Sequence, residues 1–340
     1  MASELPAITP AELAGRLKAP AGWKVELYAD GLPAARALAL AADGTLYVGS
    51  KTDRIFANKG GRNYVLASGL DSPIGLDLKD GDLYFSSTDR ILVLRGIGAR
   101  LASPPKPELY ADLGTHEGWH GGKVIRFGPD GRLYVPVGMP CNVCERPAPY
   151  GRLNVLEDGK LKPVAQGIRN TVGFDWRPGT DELWFTDNGR DNLGDDKPPC
   201  ELNRISAPGQ DFGFPYVHGK DIRDPDYGAK APADFQFTPP AWSFRAHNAP
   251  LGMRFVRRGP FKGDVLACLH GSWNRSKKDG YKVVRLQVRG GKVTGQKDFL
   301  AGFLDGQRTL GRPVDVVERP DGSWLVSDDE LGAVYRVFQP

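Results

Sequence analysis

The sequence predicts an all-β fold, a six-bladed β-propeller of four-stranded antiparallel blades, and three observations predict it. First, a unit of the form Asp-Gly-x-Leu-Tyr-Val recurs with variation: "ADGTLYVGS" (42–50), "KDGDLYFSS" (79–87), "PDGRLYVPV" (129–137), "GTDELWFTD" (179–187), "FKGDVLACL" (261–269) and "PDGSWLVSD" (320–328). Second, each unit is a turn dipeptide followed by a short alternating or apolar strand, and further strand-like runs separate the units. Third, 43 glycines and 28 prolines punctuate the 340 residues so often that no long stretch reads as a helix. Six units over about 320 residues give roughly 50 residues each, the size of a four-stranded blade. A β-sandwich does not call for a sixfold repeat.

The elements follow in chain order. Residues 1–22 form an N-terminal extension in which "TPAELAGRL" reads as one short helix, and residues 23–340 form the propeller. The apolar run "KVELYA" (24–29) completes the last blade beside "AVYRVFQP" (333–340). The runs "RILVLRG", "LNVLE" and "YKVVRLQV" read as further strands between the repeat units. The long gap between the fourth and fifth units holds a blade with large loops, including "GFPYVHGKDIRDPDYG".

Composition excludes several classes. Forty per cent apolar and 25% charged residues are enough for a sizeable core without staples. The net charge of +4 comes from 45 basic against 41 acidic residues that form no arm or stripe. The densest basic run, "RSKK" (275–278), reads as a solvated loop, so no nucleic-acid partner is expected. No apolar segment approaches the about 18 residues of a membrane span. The N-terminus lacks a hydrophobic h-region, so no signal peptide is expected in this chain. Four cysteines are too few for a disulfide scaffold. Cys141 and Cys144 form a C-x-x-C followed by Glu145, not by the histidine of covalent haem attachment, and read as a loop disulfide or as inert thiols. Cys200 and Cys268 are singletons. No G-x-G-x-x-G follows a strand, which argues against a nicotinamide enzyme.

In a propeller the loops at one end of the channel converge from every blade, so function is read from polar residues flanking the repeat strands. The stretch "GTHEGWHGGK" (114–123) holds His116 and His120, spaced i and i+4. Gly114, Gly118, Gly121 and Gly122 share it, and each weakens a helix by about 1 kcal/mol, so a helical zinc pair is not the reading. Arg169 and Asn170 precede a strand in "GIRNTVGFDW", and Asn188, Gly189 and Arg190 follow the fourth unit. His270, Asn274 and Arg275 follow the fifth unit, Arg312 precedes the sixth, and Lys51 follows the first.

Six motifs in this order carry a resemblance: "RFGPDGRLYVPVG" with "PCNVC", "GIRNTVGFDW", "ELWFTDNGRD" with "LGDD", "ELNR", "HGSWNRS" and "GRPVDV". From about residue 23 onward the chain resembles the pyrroloquinoline quinone (PQQ)-dependent sugar dehydrogenases, specifically the sorbosone/aldose dehydrogenase branch related to soluble quinoprotein glucose dehydrogenase. The resemblance implies the same propeller, oxidation of an aldose or related sugar aldehyde, PQQ and calcium as cofactors, an external electron acceptor, and a periplasmic or secreted setting. It implies that His120 is the general base, a role suited to an imidazole that titrates near neutrality. PQQ is a tricarboxylate, and arginine forks match carboxylates. Arg275 and Arg312, with His270 and Asn274, fall at the family's cofactor-binding places, with Lys51 a further candidate, and Arg169 and Asn170 match a motif under the cofactor. The calcium-binding main-chain carbonyls carry over to Gly189 and Arg190, carbonyl oxygen being a fitting ligand for a hard cation. The acids Asp187, Asp191, Asp195 and Asp196 could serve as calcium ligands, but each reads more simply as part of a solvated loop. Where the glucose enzyme keeps an aspartate beside its histidine, this chain has Met139, so another group must orient His120.

Two other readings compete. A gluconolactonase-like hydrolase would need an acidic metal ligand or base and leaves His120, Arg275 and Arg312 unexplained. A non-catalytic propeller would bind a protein or glycan on its top face.

Overall fold

Each of the six repeat units becomes the second strand of a four-stranded antiparallel sheet in the computed structural model, which describes residues 8–115 and 118–340. These strands are Leu46–Ser50, Asp82–Ser86, Leu133–Val137, Leu183–Asp187, Val265–Leu269 and Trp324–Asp328. They are buried almost throughout because blades stack face to face, which explains why they read as apolar runs rather than strict alternations. Trp184 and Trp324, both in such strands, are among the largest fully buried side chains. The innermost strands pack side by side around a central channel, in order from the fourth blade through the fifth, sixth, first and second to the third.

The ring closes between its two ends. Lys24–Ala29 pairs antiparallel with Ala333–Phe338, from Lys24 opposite Phe338 to Ala29 opposite Val334. The chain entering the ring carries the short helix Pro10–Arg16, with Pro10 in its first turn. Thr9 caps it and Glu12 bonds back to the Thr9 N–H at 2.8 Å, a reciprocal box that satisfies the free donors of a first turn. Its buried Leu13 and Ala14 join the core beneath the fifth and sixth blades, with Phe299, Phe303 and Tyr335.

The long gap is an insertion between Cys200–Ile205 and Trp242–Phe244 of the fourth blade. It contains a two-stranded hairpin, Val217–His218 with Ile222–Arg223. It is stapled to the third blade, where Gln166 N–H donates to Gln210 C=O and Phe212 N–H returns to Gln166 C=O, each at 3.0 Å.

A polar latch lines the channel. Asp77, Asp175 and Asp315, on the innermost strands of the second, fourth and sixth blades, each accept a main-chain N–H from the next blade. The donors are Phe127 at 2.8 Å, Phe255 at 2.9 Å and Leu38 at 3.0 Å. In two of these partner blades an arginine precedes the donor, Arg126 and Arg254. Arg254 pairs with Asp315 at 3.1 Å. In the first blade the corresponding residue is Ala37, and the arginine stands one position earlier at Arg36, within an irregular stretch of the Ala35–Leu40 strand. That displacement turns Arg36 towards the functional end of the ring.

Candidate active site

Second strands of the blades end, and innermost strands begin, at the same end of the channel. There the chain forms a cavity of about 330 Å³ lined by residues of the first, fourth, fifth and sixth blades, with the loops that enter them, and by the loop before the third. Lys51, His120, Arg169, Asn170, Gly189, His270 and Arg312 all face it. These residues lie up to 261 positions apart in sequence (51 to 312), and the ring brings them together.

His120 sits in the left-handed region (φ 53°), an unusual conformation for a residue with a Cβ. Its loop is braced by Lys123, whose ammonium donates to Gly121 C=O at 2.8 Å and to Thr88 C=O. Trp119 stacks on the imidazole with ring centroids 5.5 Å apart. Gly138 leaves the space in which His120 lies, since a Cβ there would approach the His120 Cβ to 2.7 Å and Asn170 Oδ1 to 2.9 Å. The orienting group is the Met139 main-chain carbonyl, 2.6 Å from His120 Nδ1. A carbonyl only accepts, so Nδ1 carries the proton and Nε2 is left with its lone pair. A carbonyl thus orients His120 at the position where the glucose enzyme is expected to use a carboxylate. Burial, then the charge of Arg169, pushes the imidazole down to about 4 against the opposing Met139 bond.

This fixes the sign of a pH dependence. The base form of His120 is the neutral imidazole, which dominates above pH about 4. Turnover limited by this base is therefore expected to stay level from neutral pH to about pH 5 and to fall towards tenfold per unit below about 4. A pH–rate profile of kcat checks this. An acid limb centred near 6.5, where an ordinary histidine titrates, would show that the site does not depress it.

Among the described residues four cations line the cavity, Arg36, Lys51, Arg169 and Arg312, against the carboxylate of Asp191. Two buried aspartates at the ends of repeat strands hold two of the arginine-bearing turns by their main chain. Asp187 accepts the N–H groups of Arg169 (3.0 Å) and Asn170 (2.6 Å), and Asp328 accepts that of Arg312 (2.8 Å). Burial raises Asp187 to about 6 and Asp328 to about 7. The Arg312 fork rests on the carbonyls of His270 (3.3 Å) and Gly271 (3.0 Å). His270 Nε2 meets Asp329 at 2.8 Å, and Arg36 pairs with the other Asp329 oxygen at 2.8 Å. Burial opposes ionisation of Asp329, but the His270 bond and the charges of His270 and Arg36 hold it below the usual carboxylate range. Arg36 Nε is buried with no protein partner. Burial, then the charge of Arg36, lowers Lys51.

Three candidates lie outside the lining. Asn274 exchanges hydrogen bonds with Asn192, both at 3.2 Å. Arg275 bonds the Asp195 carbonyl and pairs with Asp196 at 3.2 Å. Both thereby tie down the loop that follows the fourth repeat strand. The Arg190 side chain turns instead to buried Asp224, which His218 also bonds, and to the exposed Asp226. Its neighbour Gly189 is at the cavity, packed so closely on the Pro199 carbonyl that a Cβ would come within 2.8 Å. Among the described residues no three His, Cys, Asp or Glu side chains converge to hold a metal. A cation here would therefore rely on main-chain carbonyls, as the reading of Gly189 and Arg190 supposes.

Several features correct or extend the sequence reading. Asp187 and Asp191 are buried rather than solvated. Cys141 and Cys144 are disulfide-bonded, while Cys200 is a buried free thiol in the cavity wall. His116 lies outside the described residues. Sequence reasoning missed Arg36, whose signal was a lone charge in the apolar run "AARALAL", and also missed His247, while it named Asp191 but read it as solvated. His247, in the left-handed region (φ 63°), bonds Gly194 C=O at 2.8 Å and lies 3.5 Å from Asp191.

Residues 227–337 match the TrAA12-like family. The chain is 36% identical to an uncharacterized protein of Borreliella burgdorferi, over 97% of this chain and 93% of that protein. Its fold is similar to the calcium structure of the Trichoderma reesei carbohydrate-active enzyme of family AA12 (TM-score 0.80, 19% identity, 100% of both chains). It is equally similar to the holo form of the PQQ domain of Coprinopsis cinerea pyranose dehydrogenase (TM-score 0.80, 18% identity, 94% of this chain and 96% of that domain).

Proposed function

We propose that this chain, which belongs to one family with the Borreliella burgdorferi protein, is a quinoprotein sugar dehydrogenase that uses PQQ and calcium. The observation that carries the reading is the cavity itself. Among the described residues four cationic side chains line it, and the His120 imidazole is held in the tautomer of a base. A planar tricarboxylate fits that donor set, because guanidinium forks bind carboxylates through paired, charge-assisted hydrogen bonds. Arg36, Lys51, Arg169 and Arg312 would hold the carboxylates, with Asn170 and His270 at the walls. Asn274 and Arg275 serve the site from its rim, and the carbonyls of Gly189 and Arg190 would face the calcium.

When bound, the quinone supplies a two-electron acceptor for hydride from the sugar carbon, and calcium supplies a Lewis acid beside it. The protein's part is proton transfer and positioning. His120 Nε2 takes the proton of the sugar hydroxyl, while Nδ1 stays bonded to Met139 and prevents the ring from turning. Burial, then the charge of Arg169, disfavours the charged ring, so the proton does not stay on His120. The substrate is an aldose or related sugar aldehyde such as sorbosone, and electrons leave to an external acceptor. Among the described residues no helix is long and apolar enough to cross a membrane, and the family resemblance supports a periplasmic or secreted setting.

Purified protein incubated with PQQ and calcium, then given aldoses and a dye acceptor, tests this reading. Dye reduction is expected only with both cofactors and is lost on calcium chelation. Sugar oxidation that survives extensive chelation and needs no added quinone would overturn the cofactor assignment. A metal-dependent hydrolase would instead open lactones without reducing dye, and a binding module would do neither.

A further inference from the structure

Arg169 owes its place at the cavity to a loop that the reaction does not otherwise use. Its Nε donates to the Asn142 main-chain carbonyl at 2.8 Å and its Nη2 to Asn142 Oδ1 at 3.0 Å. The same Oδ1 accepts the Asp191 N–H at 2.8 Å, and Asn142 Nδ2 donates to the Asp191 carbonyl at 3.1 Å. Arg169 pairs in turn with the Asp191 carboxylate at 3.2 Å. One side chain thus fastens both a cavity cation and the cavity's carboxylate. Asn142 is the residue immediately after Cys141 in the ring closed by the Cys141–Cys144 disulfide. The base of the loop is pinned to the same place, since Met139 N–H donates to the Arg169 carbonyl at 2.8 Å.

We infer that Asn142 is the positioning residue that aims Arg169 at the cofactor, and that the Cys141–Cys144 disulfide is its latch. The inference rests on the quinoprotein reading above. A long guanidinium stem loses considerable rotamer freedom when fixed, and a partner that is itself confined by a small covalent ring keeps that cost out of the binding step. The forked contact to Arg169, one oxygen from the main chain and one from the side chain, fixes the guanidinium plane as well as its position. Asn142 touches neither sugar nor quinone in this account and acts through Arg169.

The test is a titration of the apoprotein with PQQ in excess calcium, followed by quenching of tryptophan fluorescence, for which exposed Trp273 on the cavity wall is a built-in reporter. Asn142→Ala is expected to raise the PQQ Kd by about ten- to a hundredfold, the usual worth of hydrogen bonds to a charged group. Asn142→Asp, which keeps the acceptor to Arg169, should recover part of that loss. The Cys141→Ser/Cys144→Ser double variant should weaken binding by less, and should add nothing in an Asn142→Ala background. In an Arg169→Ala background, Asn142→Ala should have little further effect, because the two act as one unit. An unchanged Kd in Asn142→Ala, or a full loss on top of Arg169→Ala, would overturn the inference. If Asn142→Ala does not fold, Asn142→Asp and the cysteine double variant carry the same cycle with Arg169→Ala. Wild-type protein that takes up no PQQ would instead sink the quinoprotein reading, a result visible before any variant is compared.

Discussion

His120→Gln is expected to lower turnover by about 10²-fold or more, the usual worth of a positioned general base, while leaving the fold and the PQQ affinity in place. The reasoning is geometric. Met139 C=O claims the Nδ1 proton, so Nε2 is the one basic atom the ring offers to the cavity. Glutamine approximates the size of the ring and can still reach a carbonyl, but its amide cannot accept a proton at neutral pH. The loop is held by Lys123 and by the space over Gly138, neither of which depends on the imidazole. Stopped-flow measurement of the quinone's reduction by sugar separates this step from later electron transfer to the acceptor. His116→Gln is the control and should do much less, since no family role falls on it. A zinc-type pair makes the opposite forecast, with both variants losing bound metal together. A fully active His120→Gln would remove the proposed base.

Arg312→Ala is expected to weaken PQQ binding by about 2–5 kcal/mol, the cost of deleting one partner of a buried charged hydrogen bond. The guanidinium is pre-aimed, with its main chain taken by Asp328 and its fork resting on the carbonyls of His270 and Gly271. Arg312→Lys keeps the charge yet loses the planar fork, so it should restore only part of the affinity. The readout is the PQQ Kd of each variant in excess calcium. An unchanged Kd in Arg312→Ala would place the residue outside the binding site.

What could be read in the sequence was whatever repeats. Glycine turns, Asp-Gly in four of the six, mark the second strand of every blade because a tight turn must precede each of them, and a turn has a residue signature. The closure of the ring by "KVELYA" and the short helix at "TPAELAGR" were legible for the same reason, each carrying a local pattern of strand or cap. Arginines and histidines at strand ends were legible as a set because a ring delivers strand ends to one place. The remainder depends on contacts without a residue code. The orienting partner of His120 is a main-chain carbonyl, and any residue at position 139 supplies one. Arg36 reaches the cavity because its strand is displaced by one position relative to the arginines of other blades, a shift of register that composition does not reveal. Asp187 and Asp191 sit in a polar stretch that looks solvated, yet they are buried because they bind main-chain N–H groups and Arg169, respectively. Asn274 and Arg275 follow the right strand, but the loop at 188–196 intercepts their side chains before they reach the cavity.

Stoichiometric titration of the apoprotein with PQQ in excess calcium, followed by equilibrium binding and by thermal unfolding, bears on the whole account. One PQQ per chain is predicted, with saturating cofactor at about 100 Kd raising stability by roughly 2.7 kcal/mol and calcium chelation reversing the gain. No uptake of PQQ, or uptake that leaves the unfolding transition unmoved and is indifferent to Arg312→Ala, would contradict it.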